Sequence, residues 1–423
     1  MSEKLAEVYE QYDMEILATR KGRGATILTT TEGLRILEPF RGSVTRLEQE
    51  YVLKQLFEEA GCRNLDCLIP NRDGRLFTCD KYRQPFVLKR HFEGNECDMH
   101  NPSEILRAVK ALAQFHIYGK QVVYQFQNAW QNSLQEKEKK QVEEIKAAIA
   151  NGEELEKISY VYEISQQALE EVLKTAELGG RRTEVLGDRE DDRHREERIE
   201  CKAEGEENQK RDSTSGYNSD SDIKNMFVRH NVELKKIQKF VLRVKRKNAF
   251  ENLFLQVFWS YYNQGMECVE MLSEVLQEQG NINGFGEHYG ICHGSYNHHN
   301  VLLGENSEAI VHFERFSRGN QLNDLYRFAR KVMEKNHFEF ELLKAVLKTY
   351  SEYIALSPGD YHYMYILFSY PEKFWKIANS YYNTNKAFLS PKYIEKLEMV
   401  ILQEEEKQKL LEQYKKQYIK EAR

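Results

Sequence analysis

The stretch Ile291 to Leu303, reading ICHGSYNHHNVLL, concentrates side chains capable of chemistry. Cys292, His293, His298 and His299 are all zinc-type ligands, yet no paired C-x-x-C or H-x-x-x-H elsewhere completes a coordinating set. Ser295 carries a hydroxyl that is neutral and a poor base at pH 7. Asn300 is a polar stop before the apolar run Val301, Leu302 and Leu303. The next block, AIVHFERFSRGNQLNDLYRF, adds His312, Glu314 and the helix-start pattern Asn323-Asp324-Leu325. Imidazole suits zinc, copper or iron better than a hard, oxygen-seeking cation, and Glu314, two residues on, keeps a carboxylate nearby.

Regular elements must position these groups. Glu15 to Thr19 and Ala25 to Thr30 are expected strands around Lys21-Gly22-Arg23-Gly24, with Leu34 to Leu37 following Thr31-Glu32-Gly33. Thr45 to Ala60 has the apolar spacing of a helix through Val52, Leu53, Leu56 and Phe57, ended by Gly61. Cys67 to Pro70, Arg75 to Asp80 and Pro85 to Arg90 are expected strands. Asn101-Pro102-Ser103-Glu104 is a helix start with Asn as N-cap, Pro first and Glu third. Ile105, Leu106, Val109, Leu112, Ala113 and His116 then share a core face.

Laid out in this order, the chain resembles small-molecule kinases of the aminoglycoside phosphotransferase and choline kinase type, whose loop reads H-G-D-x-x-x-x-N before an apolar strand. The resemblance implies an α+β, two-lobed protein kinase-like fold: a small antiparallel β-sheet lobe over residues 1–94, and a larger, mainly helical lobe over 95–390. A charged helix over 391–423 follows. His293, Gly294, Asn300 and Asp324 match the motif, which implies that His293 braces the loop by hydrogen bonding. Ser295 stands at the catalytic Asp position, His312 at the metal-binding Asp position, and Glu38 at the strand lysine that pairs nucleotide phosphates. Gly22 and Gly24 match the glycine hairpin as a vestige. Glu48 or Glu50 falls where the helix glutamate partners that lysine, and with Glu38 opposite it the partnership has lost its purpose.

More narrowly, R-G-x-G-A with L-E-P-F-R-G-S, then F-V-L-K-R-H-F-E-G-N-E-C-D, R-H-N-x-E-L-K-K and C-H-G-S-Y-N-H-H-N-V-L-L resemble the CotS-like spore coat proteins of endospore-forming bacteria. That resemblance implies synthesis in the mother-cell cytoplasm, deposition in the spore coat, and other coat proteins as partners. Glu38, Ser295 and His312 at the motif's charged positions make the expected site degenerate, with no catalytic residues, no metal and no cofactor. The alternative is a small-molecule phosphotransferase with a rewired site, using ATP and Mg2+ with Glu314 on the metal.

Composition bounds both readings. The chain has 423 residues, 41% of them apolar, enough for a sizeable core. A net charge of −6 gives no general attraction to nucleic acid or to an anionic membrane, and no apolar stretch has transmembrane length. The seven cysteines form no closely spaced framework, so free thiols are expected. The 25 tyrosines mostly have apolar neighbours in helical patterns, so packing explains them better than oxidative cross-linking.

Residues 180–224 read as a disordered insert dense in charge, serving as a tolerated loop or as a docking or phosphorylation segment through Ser213, Thr214, Ser215, Ser219 and Ser221. Asn225 to Asn248 is an expected helix with a solvated basic face over Leu234, Ile237, Val241 and Val244. Ala249 to Tyr262, Phe338 to Tyr353, Tyr361 to Tyr382 and Pro391 to Arg423 are also expected helices. The last turns strongly charged after Glu404 and is expected to project and fray.

Overall fold

A computed structural model describes residues 5–150, 220–278, 287–383 and 392–419. After a one-turn helix α1 (Ala6–Tyr9), five antiparallel strands pair in the order β1-β2-β3-β5-β4. These are β1 (Ile16–Lys21), β2 (Thr26–Thr30), β3 (Gly33–Pro39), β4 (Thr78–Cys79) and β5 (Pro85–Arg90). One face buries Leu28, Leu37 and Leu88 against Val8, Tyr9 and Tyr12. On the other, Val87 and Leu68 meet Leu47 of α2 (Val44–Glu59). Register sets what else faces α2. Glu38 pairs with Val87 and Ile36 with Lys89. Because side chains alternate along a strand, Glu38, Val87 and Lys89 share that face.

Two expected strands are mostly irregular. Between Cys67 and Pro70 only Leu68 bridges, to Lys89, and β4 keeps two residues of the Arg75 to Asp80 stretch. The Asn71 side-chain oxygen accepts the backbone N–H groups of Asp73 (3.1 Å) and Arg75 (2.9 Å), turning the chain before a ladder can extend.

The helical part begins with β6 (Asn95–Glu96) and α3 (Pro102–Ala150). The Asn101 side chain caps α3 by accepting from Ser103 N–H at 3.1 Å, while Glu104 reaches back to Asp98 N–H at 2.8 Å. Next come α4 (Asp220–Arg243) and α5 (Ala249–Glu278). β7 (Tyr289–Cys292), a 3-10 turn (His298–Asn300), β8 (Val301–Leu303), β9 (Glu308–Ile310) and β10 (Ser317–Asn320) carry the loop of interest. β7 pairs with β10, and β8 lies between β6 and β9. The chain ends with α6 (Leu322–Lys335), α7 (Phe340–Ser351), α8 (Pro358–Ser369), α9 (Glu372–Asn383) and α10 (Lys392–Tyr418). Leu234, Val241, Phe254, Phe258, Phe374 and Leu397 form the core shared by α4, α5, α9 and α10. The chain divides into two compact units, residues 1–123 with 205–423, and residues 124–204. In the second, the described residues are those of α3 from Tyr124 to Ala150. Among the described residues no helix is long and apolar enough to cross a membrane.

Three helical expectations change. Tyr361 to Tyr382 is two helices, because Pro371 lacks an N–H and holds Tyr370 in an extended conformation (ψ 135°). The last helix does not project: Leu410, Leu411 and Tyr414 are buried, Tyr414 OH donates to the Tyr361 carbonyl at 3.0 Å, and Tyr418 stacks on Tyr361 at 4.4 Å. Spacing of three and four residues makes these a stripe that the surrounding charges conceal. The charged insert from Gly179 to Ser219 lies outside the described residues. Its expected end is shorter than 224, since α4 starts at Asp220 and Ile223 is buried.

Candidate functional site: a braced loop beside a buried ion cluster

The loop after β7 is held by three side chains. Asp324, in the first turn of α6 and fully buried, accepts the backbone N–H groups of His293 (2.6 Å) and Gly294 (3.0 Å). His293, also fully buried, lies with Nε2 3.0 Å from the Val311 carbonyl and with Nδ1 3.3 Å from the Ser295 N–H. These contacts assign the proton to Nε2 and make Nδ1 an acceptor. Burial holds the ring's pKa below its usual value, in keeping with that neutral tautomer. Asn300 donates from Nδ2 to the Ser295 carbonyl at 3.0 Å. Gly294 has φ +76°, and a Cβ there would lie 1.9 Å from the Arg315 carbonyl oxygen, so only glycine fits. The brace reading of His293 therefore holds.

Ser295 Oγ sits 3.4 Å from both His293 Nδ1 and Asn300 Nδ2, a marginal distance for either contact. No carboxylate hydrogen-bonds to it among the contacts of the described residues. Burial pushes the Asp324 carboxyl up, but His116 and Arg327 hold it below the usual carboxylate range, so it stays an anionic acceptor.

Beneath the loop, His293 packs 4.7 Å from Phe313, Phe313 5.7 Å from Phe115, and Phe115 5.0 Å from Phe57 of α2. This aromatic column ties the loop to α2. Arg46 of α2 donates from Nε to the Glu314 carbonyl at 3.1 Å and also to that of Phe316, with its guanidinium 3.7 Å over the Phe316 ring.

The chemistry missing from the loop is matched by an unexpected arrangement beside it. Lys54 Nζ lies 2.6 Å from Glu50 and 2.6 Å from Asp66, with its side chain 1% exposed. Lys89 Nζ lies 3.4 Å from Glu314, 3.6 Å from Glu38, and 3.7 Å from each of Glu50 and Asp66, with its side chain 4% exposed. Burial works to lower both ammonium pKa values, and the surrounding carboxylates reverse the shift and raise them. Asp66 is pushed up by burial but held below its usual range by Lys54 and Lys89. Glu50 thus keeps a lysine partner, correcting the expectation that it had lost its purpose. The ammonium groups come from β5 and α2 instead of β3.

His312 has φ +66°, donates its N–H to Asp66 at 2.9 Å, and faces Glu314 at 3.6 Å. The Glu314 carboxylate beside it raises its pKa. Burial pushes the Glu314 carboxyl up, while His312 and Lys89 hold it far below its usual range. Glu38, Glu50, Asp66 and Glu314 outnumber Lys54 and Lys89 by two charges, and one protonated His312 leaves the cluster anionic.

These residues do not fit a magnesium triphosphate. Both lysines of the cluster are already paired with carboxylates, the net negative charge around them repels phosphate, and the His312 imidazole is a poor ligand for a hard cation. Gly22 and Gly24 form the β1–β2 turn, with Gly22 N–H donating to Ala25 O at 2.8 Å and Gly24 at φ +74°. A hairpin explains both. The zinc-type residues diverge: Cys292 is buried in β7, His293 braces the loop, and His299 pairs with Glu96. Among the described residues no three His, Cys, Asp or Glu side chains are placed to hold a metal ion.

Lys54, Lys89, Asp66 and Arg46 were not singled out from the sequence. A signal existed for two of them. Lys89 continues the inward register of Val87 in F-V-L-K-R, and Lys54 stands between Leu53 and Phe57 on the apolar side of α2. A lysine in either place needs a buried anion.

No family model and no curated protein matches the chain in sequence. In structure it is similar to an aminoglycoside phosphotransferase from Alicyclobacillus acidocaldarius, with a TM-score of 0.65, 13% identity, and coverage of 97% of this chain and 95% of that one. Weaker similarities include an amicoumacin kinase in complex with AMP-PNP and Ca2+ (TM-score 0.46, 11% identity, 97% and 94% covered). A microcompartment-associated aminopropanol kinase is also similar (TM-score 0.45, 11% identity, 96% and 95% covered). The chain has the aminoglycoside phosphotransferase-like, protein kinase-like fold: an antiparallel sheet region and a larger helical part.

Proposed function

We propose that this chain is a non-catalytic member of the phosphotransferase fold and a structural or interaction component of the bacterial endospore coat, made in the mother cell and held there by other coat proteins. A fold alone does not carry its usual activity. The observation that carries the non-catalytic part is the closed ion cluster. Glu38 takes the strand-lysine position, and both nearby lysines are committed to carboxylates. Removing one preorganised charge from such a site typically costs a factor of about 10²–10³ in rate. Here Glu38, Ser295 and His312 each replace one. The coat assignment rests on the motif resemblance over most of the chain.

A thermal melt with ATP, with and without magnesium, tests the site. A native-state ligand at 100 times its dissociation constant stabilises by about 2.7 kcal/mol. The expected shift is nil. Fractionation of spores from the source bacterium tests location: the protein belongs in the coat extract, and its recovery only from the mother-cell cytoplasm would count against the coat role. The second reading, a rewired phosphotransferase, is favoured by one feature, the half-exposed Glu314 carboxylate beside an intact loop frame. A saturable, magnesium-dependent ATP shift would select it.

A further inference from the structure

Two helices carry outward stripes of opposite charge, each with exposed apolar residues. From Lys224 to Lys247 the chain has nine Lys and Arg against one acid, Glu233, whose carboxylate already accepts Trp375 Nε1 at 2.8 Å. Val228, Val232, Lys235, Lys239 and Leu242 recur at helical spacing on one side of α4, with Val228 41%, Val232 48% and Leu242 56% exposed. Beside them on α5, Trp259 is 52% exposed and carries Lys235 Nζ 3.9 Å from its ring.

On α10, five acids against one Lys lie between Glu395 and Glu406. Glu395, Glu398, Met399, Leu402 and Glu406 share its outer side, where Met399 is 49% and Leu402 72% exposed. Lys409, the nearest cation on this stripe, is paired with Glu405 at 2.6 Å. The α4 stripe runs about 21 Å and the α10 stripe about 17 Å at the helical rise.

The two stripes cannot satisfy each other within one molecule. α4 and α10 each pack on α5 and α9 around a common core, so they flank that pair and turn their outer sides apart. We infer that the basic Trp259 face of one copy receives the acidic Leu402 face of a second copy, in a head-to-tail contact. The charges match in sign and the apolar residues in spacing. Each copy keeps one face free after pairing, so assembly continues into a ring or a filament instead of closing as a two-fold dimer. The inference stands on these faces, not on the chemistry of the loop.

Sedimentation velocity of the full chain at low and high salt tests it. The expected result is concentration-dependent growth beyond dimer at low salt, reversed as salt rises. Lys236→Gln with Lys239→Gln, and separately Glu398→Gln with Leu402→Gln, should each give monomers whose melting temperature matches the parent. All four positions are exposed. Mixing the two variants should give a discrete 1:1 complex, because each retains one intact face. A parent chain that stays monomeric at low salt, growth that persists in both variants, or a mixture that stays monomeric overturns the proposal. So does loss of binding to anionic vesicles or to DNA in the Lys variant while self-association is unchanged.

Discussion

His293, Gly294 and Ser295 are adjacent and have different jobs, which substitutions should separate. Gly294→Ala forces a Cβ into the Arg315 carbonyl at positive φ and should destabilise by about 1–3 kcal/mol or more in urea unfolding. His293→Ala strands the Ser295 N–H and the Val311 carbonyl, with an expected loss of about 1–3 kcal/mol. Ser295→Ala removes only marginal hydroxyl contacts, so the urea midpoint should barely move. A large loss from Ser295→Ala would mean that its hydroxyl is part of the brace. Coat assembly that failed in a folded Ser295→Ala protein would give that hydroxyl a chemical role, against the non-catalytic reading.

At the scale of elements, α2 and β5 are joined by charge where homogeneous packing would be ordinary. Lys89→Met should cost about 3–5 kcal/mol, since it leaves Glu38, Glu50 and Asp66 facing one another with Lys54 as their only buried cation. Hydrogen exchange would then rise in both elements. Only a volume-matched replacement of the whole cluster by apolar residues should escape that cost. For α10, truncation before Glu405 removes Leu410, Leu411 and Tyr414 from their burial, each worth about 1.5–3 kcal/mol for an apolar side chain. The truncated protein should melt well below the full chain. An unchanged melt would mean the helix end adds nothing to the core.

For the whole molecule, the cluster sets a pH window. Asp66 has its folded pKa below the ordinary 3.8, so its contribution is present above that value and is lost as pH falls through the depressed one. Lys54 and Lys89 are raised above 10.5, so theirs is present below 10.5 and is lost as pH rises through the raised values. Urea midpoints should therefore reflect an intact cluster from about pH 4 to about pH 10 and fall on the acid side. In Lys89→Met the acid arm should flatten, because protonating the stranded carboxylates relieves their repulsion. An acid arm of undiminished steepness would show that other carboxylates dominate it.

Much of this was legible in the sequence because it depends on local pattern. The hairpin glycines, the Asn101 cap, the strands ending at Leu37 and spanning Leu88, and the H-G-x-x-x-x-x-N spacing of the loop are all set by neighbours within a few residues. The losses at Glu38, Ser295 and His312 were equally visible, since a missing charge needs only an aligned position to be noticed. What took the place of those charges was not. Lys89 on β5, Lys54 on α2 and Asp66 in an irregular stretch lie in separate segments, and although the pattern turns both lysines inward, nothing local says which anions meet them. Only the packing of α2 on the sheet buries them together, and burial turns Glu50, Asp66 and two ammonium groups into one closed unit with Glu38 and Glu314 at its edge. The end of α10 follows the same rule. Its composition after Glu404 favours solvent, and tertiary contacts with Tyr361 decide that one stripe of it is core.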